Sequence, residues 1–357
     1  MRRRRLWIAI LLLLVAATLA TLVWLRGRAA PEAVRLLPEA DAVLFVDLGL
    51  IRIGTQVPSI PEVQREADYA AFVRETGFEF ERDLDEVALA VHSVAPEPPQ
   101  PGTPPSAPPP LPYRSSEIFV GRFHSERLIA YLKKLAQSSE RYKASDIYNI
   151  PFEGRTVRVA LLGVDMVAVS NEDDAGVMHG IIERYHALAG PVSGPRLVRE
   201  HYERIPLGSV AWAIGRIPAA RPGTAAGGPA ALGMVQQMAA GSTVVASLRY
   251  QGFIQFRLEA VTASEAEAKR LGDSVGMMLA LFRGAGQSVQ GEGPDPDVKA
   301  LFDSIEVRQE EQSLVVTATL SQRAIQKVMA QPPASPPPQA AAPAPPTKKP
   351  APQRRAK

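Results

Sequence analysis

The sequence predicts an α+β protein: two similar halves of mainly antiparallel sheet with helices packed on one face, after a single N-terminal transmembrane helix. Three observations lead there. Residues 6–25 are twenty consecutive uncharged positions, and a helix of that length, rising about 1.5 Å per residue, spans roughly 30 Å, the depth of a bilayer core. Beyond residue 36, runs that alternate with period two are interleaved with stretches of helical periodicity. The order of these elements then repeats once along the chain.

Leu6 and Leu25 bound the first segment, and Trp7 and Trp24 sit near its ends, where indoles favour the membrane–water interface. Arg2, Arg3, Arg4 and Arg5 precede it, against Arg26 and Arg28 after it. The positive-inside bias puts the N-terminus in the cytoplasm and the remaining chain outside. Two small-residue stretches, Val15-Ala16-Ala17 and Thr18-Leu19-Ala20, resemble signal-peptidase sites, but the apolar run continues past both through Leu22 and Val23. An uncleaved signal anchor is expected. With no cysteine in the sequence, lipidation at an N-terminal cysteine and disulfides are excluded.

The net charge of +3 hides a division. Residues 1–28 carry six arginines and no acid, and residues 331–357 carry five Lys or Arg and no acid, which leaves 29 basic against 37 acidic residues between them. A folded part of that sign is a poor partner for nucleic acid, whose binding is dominated by phosphate neutralisation. The basic ends suit anionic lipid headgroups or an anionic cell-wall polymer better.

Along the chain, residues 29–37 read as a short stalk, and residues 43–48 as a buried strand. Residues 62–75 form a helix with Tyr69, Phe72 and Val73 on one face, stopped by Gly77. Residues 85–93 and 117–123 are strands; between them, residues 94–112 hold ten prolines and read as a disordered insertion within a hairpin. Ser125 caps a helix striped by Leu128, Ile129, Leu132 and Leu135. Residues 146–151 are a strand, and 155–161 with 165–170 a hairpin. Asn171 caps a helix that buries Met178, Ile181 and Ile182 and ends at Gly190.

The second half runs from residue 197. Residues 208–215 are a strand, 229–240 a short helix, and 242–250 with 253–261 a hairpin across Gln251-Gly252. In its second strand Ile254, Phe256, Leu258 and Ala260 are expected inside, with Gln255, Arg257 and Glu259 in water. Thr262-Ala263-Ser264-Glu265 reads as a capping box opening a long helix. A short helix at 297–303, strands at 304–308 and 313–320, and a last helix capped by Ser321 complete the half. The expected divisions are thus residues 1–28 (arginine cluster and anchor), 36–190 (first half), 197–330 (second half) and 331–357, a disordered Pro/Ala/Lys tail with ten prolines.

Leu37-Pro38-Glu39-Ala40-Asp41-Ala42-Val43, then Tyr142-Lys143 through Ile147-Tyr148 before a hairpin and the helix at Asn171, resemble a loose group of bacterial membrane-anchored extracytoplasmic proteins of unknown function. The resemblance spans about residues 36–330. It implies an architecture and a location, single-pass in the bacterial inner membrane with the body in the periplasm or outside, and it implies no site.

Chemistry is sparse. Gly272-Asp273-Ser274-Val275-Gly276 spells a nucleophile elbow, yet it falls inside a helix where that motif needs a strand and a sharp turn. His179 and His186 lie seven apart on one helix without a carboxylate or cysteine pattern to complete a zinc site. Glu79, Glu81, Asp83, Asp85 and Glu86 form an acidic run, expected to be a solvated face. No catalytic, cofactor or metal residue is assigned, and no cofactor is expected. The sequence therefore points to a non-enzymatic envelope interaction or scaffold module. An apolar-ligand (lipid) binder with a groove lined by Phe119, Leu161, Phe256 and Leu258 is the alternative, and a hydrolase using Ser274 a distant third.

Overall fold

A computed structural model of the chain describes residues 29–55, 67–93, 113–190, 193–217, 239–288 and 296–321. The predicted anchor at 6–25, the proline insertion, the helix predicted at 229–240 except its last two residues, the last helix after Ser321 and the basic tail lie outside the described residues. Among the described residues, no helix is long and apolar enough to cross a membrane.

The described strands join into a single twelve-stranded antiparallel sheet. Its seam is the pairing of β1 (Ala42–Asp47) with β8 (Ser209–Arg216), where Phe45 lies opposite Trp212 and their rings stack with centroids 5.6 Å apart. From that seam the wings read alike. One continues through β2 (Leu84–Ser93) and β3 (Tyr113–Gly121), then β7 (Met166–Ser170) and β6 (Arg155–Leu161). The other continues through β9 (Thr243–Tyr250) and β10 (Ile254–Val261), then β12 (Ser313–Leu320) and β11 (Glu306–Glu310). The first wing adds an edge hairpin in which the predicted strand β5 (Ser145–Phe152) pairs with β4 (Ser138–Tyr142), a strand the sequence did not announce. Ser93 pairs with Tyr113, so the proline insertion leaves and rejoins at one hairpin end, where the other wing has only the tight Gln251-Gly252 turn, with Gly252 at φ 78°.

Helices pack on both faces of the sheet, not on one as expected. One face carries α1 (Glu32–Leu36), α6 (Ala175–His186) and α7 (Arg196–His201), whose Val34, Ile181, Ile182 and Leu197 meet Phe45, Ala88, Ile118 and Ile147 in the main core. The opposite face carries α5 (Ser125–Leu135) over Tyr148, Val159 and Val167, and α8 (Glu265–Ser288) over Ala260 and Leu314. The cause is in the strands. β7 reads MVAVS and β12 opens SLVV, apolar and buried at consecutive positions, so both sides of those outer strands gain from cover, while Leu44 on β1 stays 39% exposed.

The remaining helices are α2 (Leu48–Thr55), α3 (Ala67–Thr76), α4 (Phe80–Asp83) and α9 (Pro296–Asp303). Gly77 stops α3 as predicted, at φ 73°, with its N–H on the Val73 carbonyl at 2.8 Å. Other local expectations are corrected. The supposed stalk is α1, with Ala33, Val34, Leu36 and Leu37 buried. α5 is preceded by His124 and has no side-chain cap. α6 is capped by Asp174, which accepts the Gly176 N–H at 2.8 Å, whereas Asn171 accepts the Ser115 N–H at 2.7 Å and so ties the strand end down. α6 ends at His186, before Gly190. The cap of α8 is Ser264, bonded to the Glu267 N–H at 3.3 Å, while Glu267 reaches back to the Ala263 N–H at 3.2 Å. The box is real but sits two residues later than Thr262 implied.

Candidate functional site

On the face that α1 and α6 cover, the wings carry opposite chemistry at matching register positions. Outward from Phe45 the opposed residues are Ala88, Ile118, Ala168, Ala160 and Ile147, every one 0% exposed. Outward from Trp212 they are Ser247, Arg257 and Thr317. Two positions along, Arg249 opposes Gln255; two positions the other way, Glu259 sits between Val245 and Val315. The loop after α7 brings Arg204 over these strands. A pocket of about 310 Å³ results, lined among others by Arg204, Arg249, Arg257, Ser247, Gln255 and Thr317, with Glu203 also contributing to its wall.

Glu259 organises this pocket. It is only 4% exposed, forms an ion pair with Arg204 and meets Arg257 at 3.1 Å. Two guanidiniums offset the desolvation of one buried carboxylate, and removing either partner from such a set is costly. Arg204 also bonds Ser313 Oγ at 3.4 Å, and Arg257 comes within 3.8 Å of the exposed Glu310. Arg249 donates to the neutral amide of Gln255 and forms no ion pair among the described residues. His201, at the end of α7, is held below the ordinary histidine pKa by burial and then by Arg204, with Arg216 adding to the effect and Glu200 and Glu259 opposing it. The pocket lining carries three guanidiniums against one carboxylate, Glu203.

A second polar feature lies at the C-terminal end of β1. Asp47 and Glu86 are direct cross-strand partners. Burial, followed by repulsion from Asp47, Asp85 and Glu32, pushes the Glu86 carboxyl up to about 7. Asp47 is also raised, by burial first; the Leu50 N–H and Arg52 oppose that, and Asp85 adds to it. Asp85 forms an ion pair with Arg52.

The acidic run is therefore not the solvated face expected. Asp83 is buried; burial alone would raise its pKa, but Arg82, the Glu79 N–H and Arg122 hold it below the usual carboxylate value. Glu81 accepts from the Tyr69 hydroxyl at 2.6 Å. Local turns around α4 split the run between partners that sequence spacing does not reveal.

Of the other candidates, Arg2, Arg3, Arg4, Arg5, Leu6, Trp7, Trp24 and Leu25 lie outside the described residues. Ser274 is on an exposed side of α8 and donates to the Arg270 carbonyl of its own helix at 2.9 Å, where its oxygen is not presented on a strand-to-helix turn. His179 stacks on Tyr142 at 3.9 Å and meets Glu140 at 3.0 Å; His186 packs edge-on against Tyr185. Among the described residues no group of three His, Asp or Glu side chains is placed to hold a metal ion. The four groove residues do not line one cleft: Phe119 and Leu161 belong to the cluster under α5, and Phe256 is 38% exposed on the other wing.

Sequence reasoning passed over the arginine pocket because alternation assigned Gln255, Arg257 and Glu259 to water. The available signal was Arg249 facing Gln255 two residues either side of a tight turn, with Arg257 and Glu259 continuing along the same face.

No family model matches the chain, and no curated protein does. Solved structures similar to it include crystal form III of TP0453, with a TM-score of 0.40 and 10% identity over 84% of this chain and 98% of that one. Crystal form I of TP0453 gives 0.39 and 10% over 84% and 97%.

Proposed function

We propose that the chain is a single-pass, membrane-anchored extracytoplasmic module of the bacterial envelope that binds other envelope components and catalyses no reaction. The sequence supports the anchor through the uncharged residues 6–25 and their arginine flank. One structural observation supports a body held close against the bilayer: α1 begins at Glu32 and is locked in the core by Val34 and Leu36. Only residues 26–31 separate it from the apolar segment, a reach of about 20 Å even when fully extended. A body so tightly tethered scans a thin layer above the membrane. The basic tail at 331–357, as extended polyproline at about 3.1 Å per residue, reaches roughly 80 Å and suits an anionic polymer or a distant envelope protein.

Alkaline phosphatase and green fluorescent protein fused in turn after Lys357 test the topology. Active phosphatase with dark fluorescent protein is expected; the opposite pair overturns the reading. Crosslinking in cells followed by purification, with and without residues 331–357, tests the binding role. Failure of both forms to carry any envelope partner would count against it.

A further inference from the structure

The second wing leaves a polar pocket where the first has its core, and its chemistry specifies a ligand. We propose that the pocket formed by Arg204, Arg249, Arg257, Ser247 and Thr317 binds a phosphate monoester group. The inference rests on the reading of this body as a binding module, and not on the membrane anchor.

The starting point is the paired register. Ile118 and Arg257 stand at equivalent places, two strands out from the seam, as do Ala168 and Thr317 one strand further. A core position given to arginine must gain something to offset its desolvation. Glu259 accounts for part of that. It takes a bond from Arg204 and another from Arg257, which leaves donor capacity on both guanidiniums, since each carries five N–H groups. Among the described residues Arg249 bonds the Gln255 amide and no carboxylate, and an anion can displace that neutral group. Three guanidiniums and one carboxylate, the exposed Glu203, line the pocket; Glu259 lies buried beneath Arg204 and Arg257, and Glu310 stands 3.8 Å from Arg257 where water screens it.

That surplus favours a dianion over a monoanion. Guanidinium forks match phosphate oxygens in pairs, and the hydroxyls of Ser247 and Thr317 supply two further donors on the same floor. The volume of about 310 Å³ is at the small end of ligand sites. It suits one phosphate with a few carbons attached, as in a triose or glycerol phosphate, or the headgroup of phosphatidic acid.

Calorimetric titration of the full chain in phosphatidylcholine nanodiscs, with inorganic phosphate, glycerol 3-phosphate and succinate, tests this. Saturable binding of glycerol 3-phosphate is expected, with succinate weaker. Arg249→Gln should weaken it about tenfold or more, the scale of one lost charged hydrogen-bonding partner. Because Arg249 has no ion pair among the described residues, its loss should leave the unfolding midpoint of the ligand-free protein unchanged, and Arg249→Lys should restore part of the affinity. Repeating the titration in nanodiscs containing phosphatidic acid separates the sources: competition identifies a lipid headgroup, and its absence a soluble ester, each with the phosphate assignment intact. No saturable phosphate binding, equal affinity for succinate, or an Arg249→Gln variant that binds like the wild type would overturn the proposal. A chain that proves to be unanchored in cells would remove the proposed function and leave these titrations standing.

Discussion

Replacing Glu86 by glutamine should stabilise this protein above neutral pH and flatten its pH dependence. Glu86 faces Asp47 across the central β1–β2 ladder, with Asp85 beside it and Glu32 on α1. Burial first, then those three carboxylates, raises its pKa from 4.5 to about 7 in the fold. The native state therefore binds more protons than the unfolded chain across that interval. Its stabilising effect is fully present below the unfolded pKa and is lost as pH rises through the folded one. Without screening, the interval corresponds to about 3 kcal/mol; partial access to solvent reduces this to about 1–2 kcal/mol. Asp47, also raised by burial, contributes in the same direction, though the Leu50 N–H and Arg52 oppose its shift. The assay is urea unfolding of the full chain in detergent between about pH 5 and about pH 8, followed through Trp212 with Trp7 and Trp24 replaced by phenylalanine. Subtracting the Glu86→Gln profile from the wild type cancels every contribution the two proteins share. The difference should grow by about 1–2 kcal/mol toward the alkaline end, with the variant the more stable. A difference that stays flat, or reverses sign, refutes the carboxylate-pair explanation.

Four further outcomes are expected. Trp212→Ala removes the ring that stacks on Phe45 at the seam and should cost about 3–5 kcal/mol in the same unfolding assay. Glu259→Ala leaves Arg204 and Arg257 without their shared carboxylate and should cost about 3 kcal/mol, far more than loss of the exposed Arg308–Glu306 pair. Gly121→Ala puts a Cβ 2.4 Å from the Asp83 carbonyl oxygen; since backbone cannot yield as a side chain does, about 1–3 kcal/mol of destabilisation should appear as a lowered melting temperature. Ser264→Ala should cost about 1 kcal/mol by removing the cap of α8, whereas Thr262→Ser, which keeps the hydroxyl bonded to Ser264 and Gln312 carbonyls, should change little.

Local chemistry was legible wherever one segment decided it. The β6–β7 and β9–β10 hairpins fall within about one residue of their predicted limits, since alternation and turn residues are read from neighbours in sequence. The strand order of the two wings matches outward from the seam, while the predicted helix at 229–240, apart from its last two residues, and the one after Ser321 lie outside the described residues. The caps were less so: the helices expected to be capped at Ser125, Asn171 and Thr262 begin instead after His124, Asp174 and Ser264, each within three residues, and only the path of the backbone decides the position. Residues 29–37 looked like a tether because five residues are too few to declare a helix, yet Val34 and Leu36 are at the centre of the core. The arginine pocket was illegible for a sharper reason. Alternation states that Phe256 and Arg257 point to opposite sides of β10, but which side is dry depends on what the rest of the chain lays over each.

By itself, then, the sequence determined the α+β class, the hairpins, the absence of disulfides and the expectation of an apolar N-terminal helix, all read from composition or contiguous stretches. Tertiary structure alone decided that β1 and β8 pair to make one sheet from both wings, that helices cover both of its faces, and that Glu259 is buried between Arg204 and Arg257. The seam and the Arg204–Glu259 pair depend on contacts between residues 55 or more positions apart, and the free energy of such contacts comes from surfaces that exist only once the chain has closed on itself.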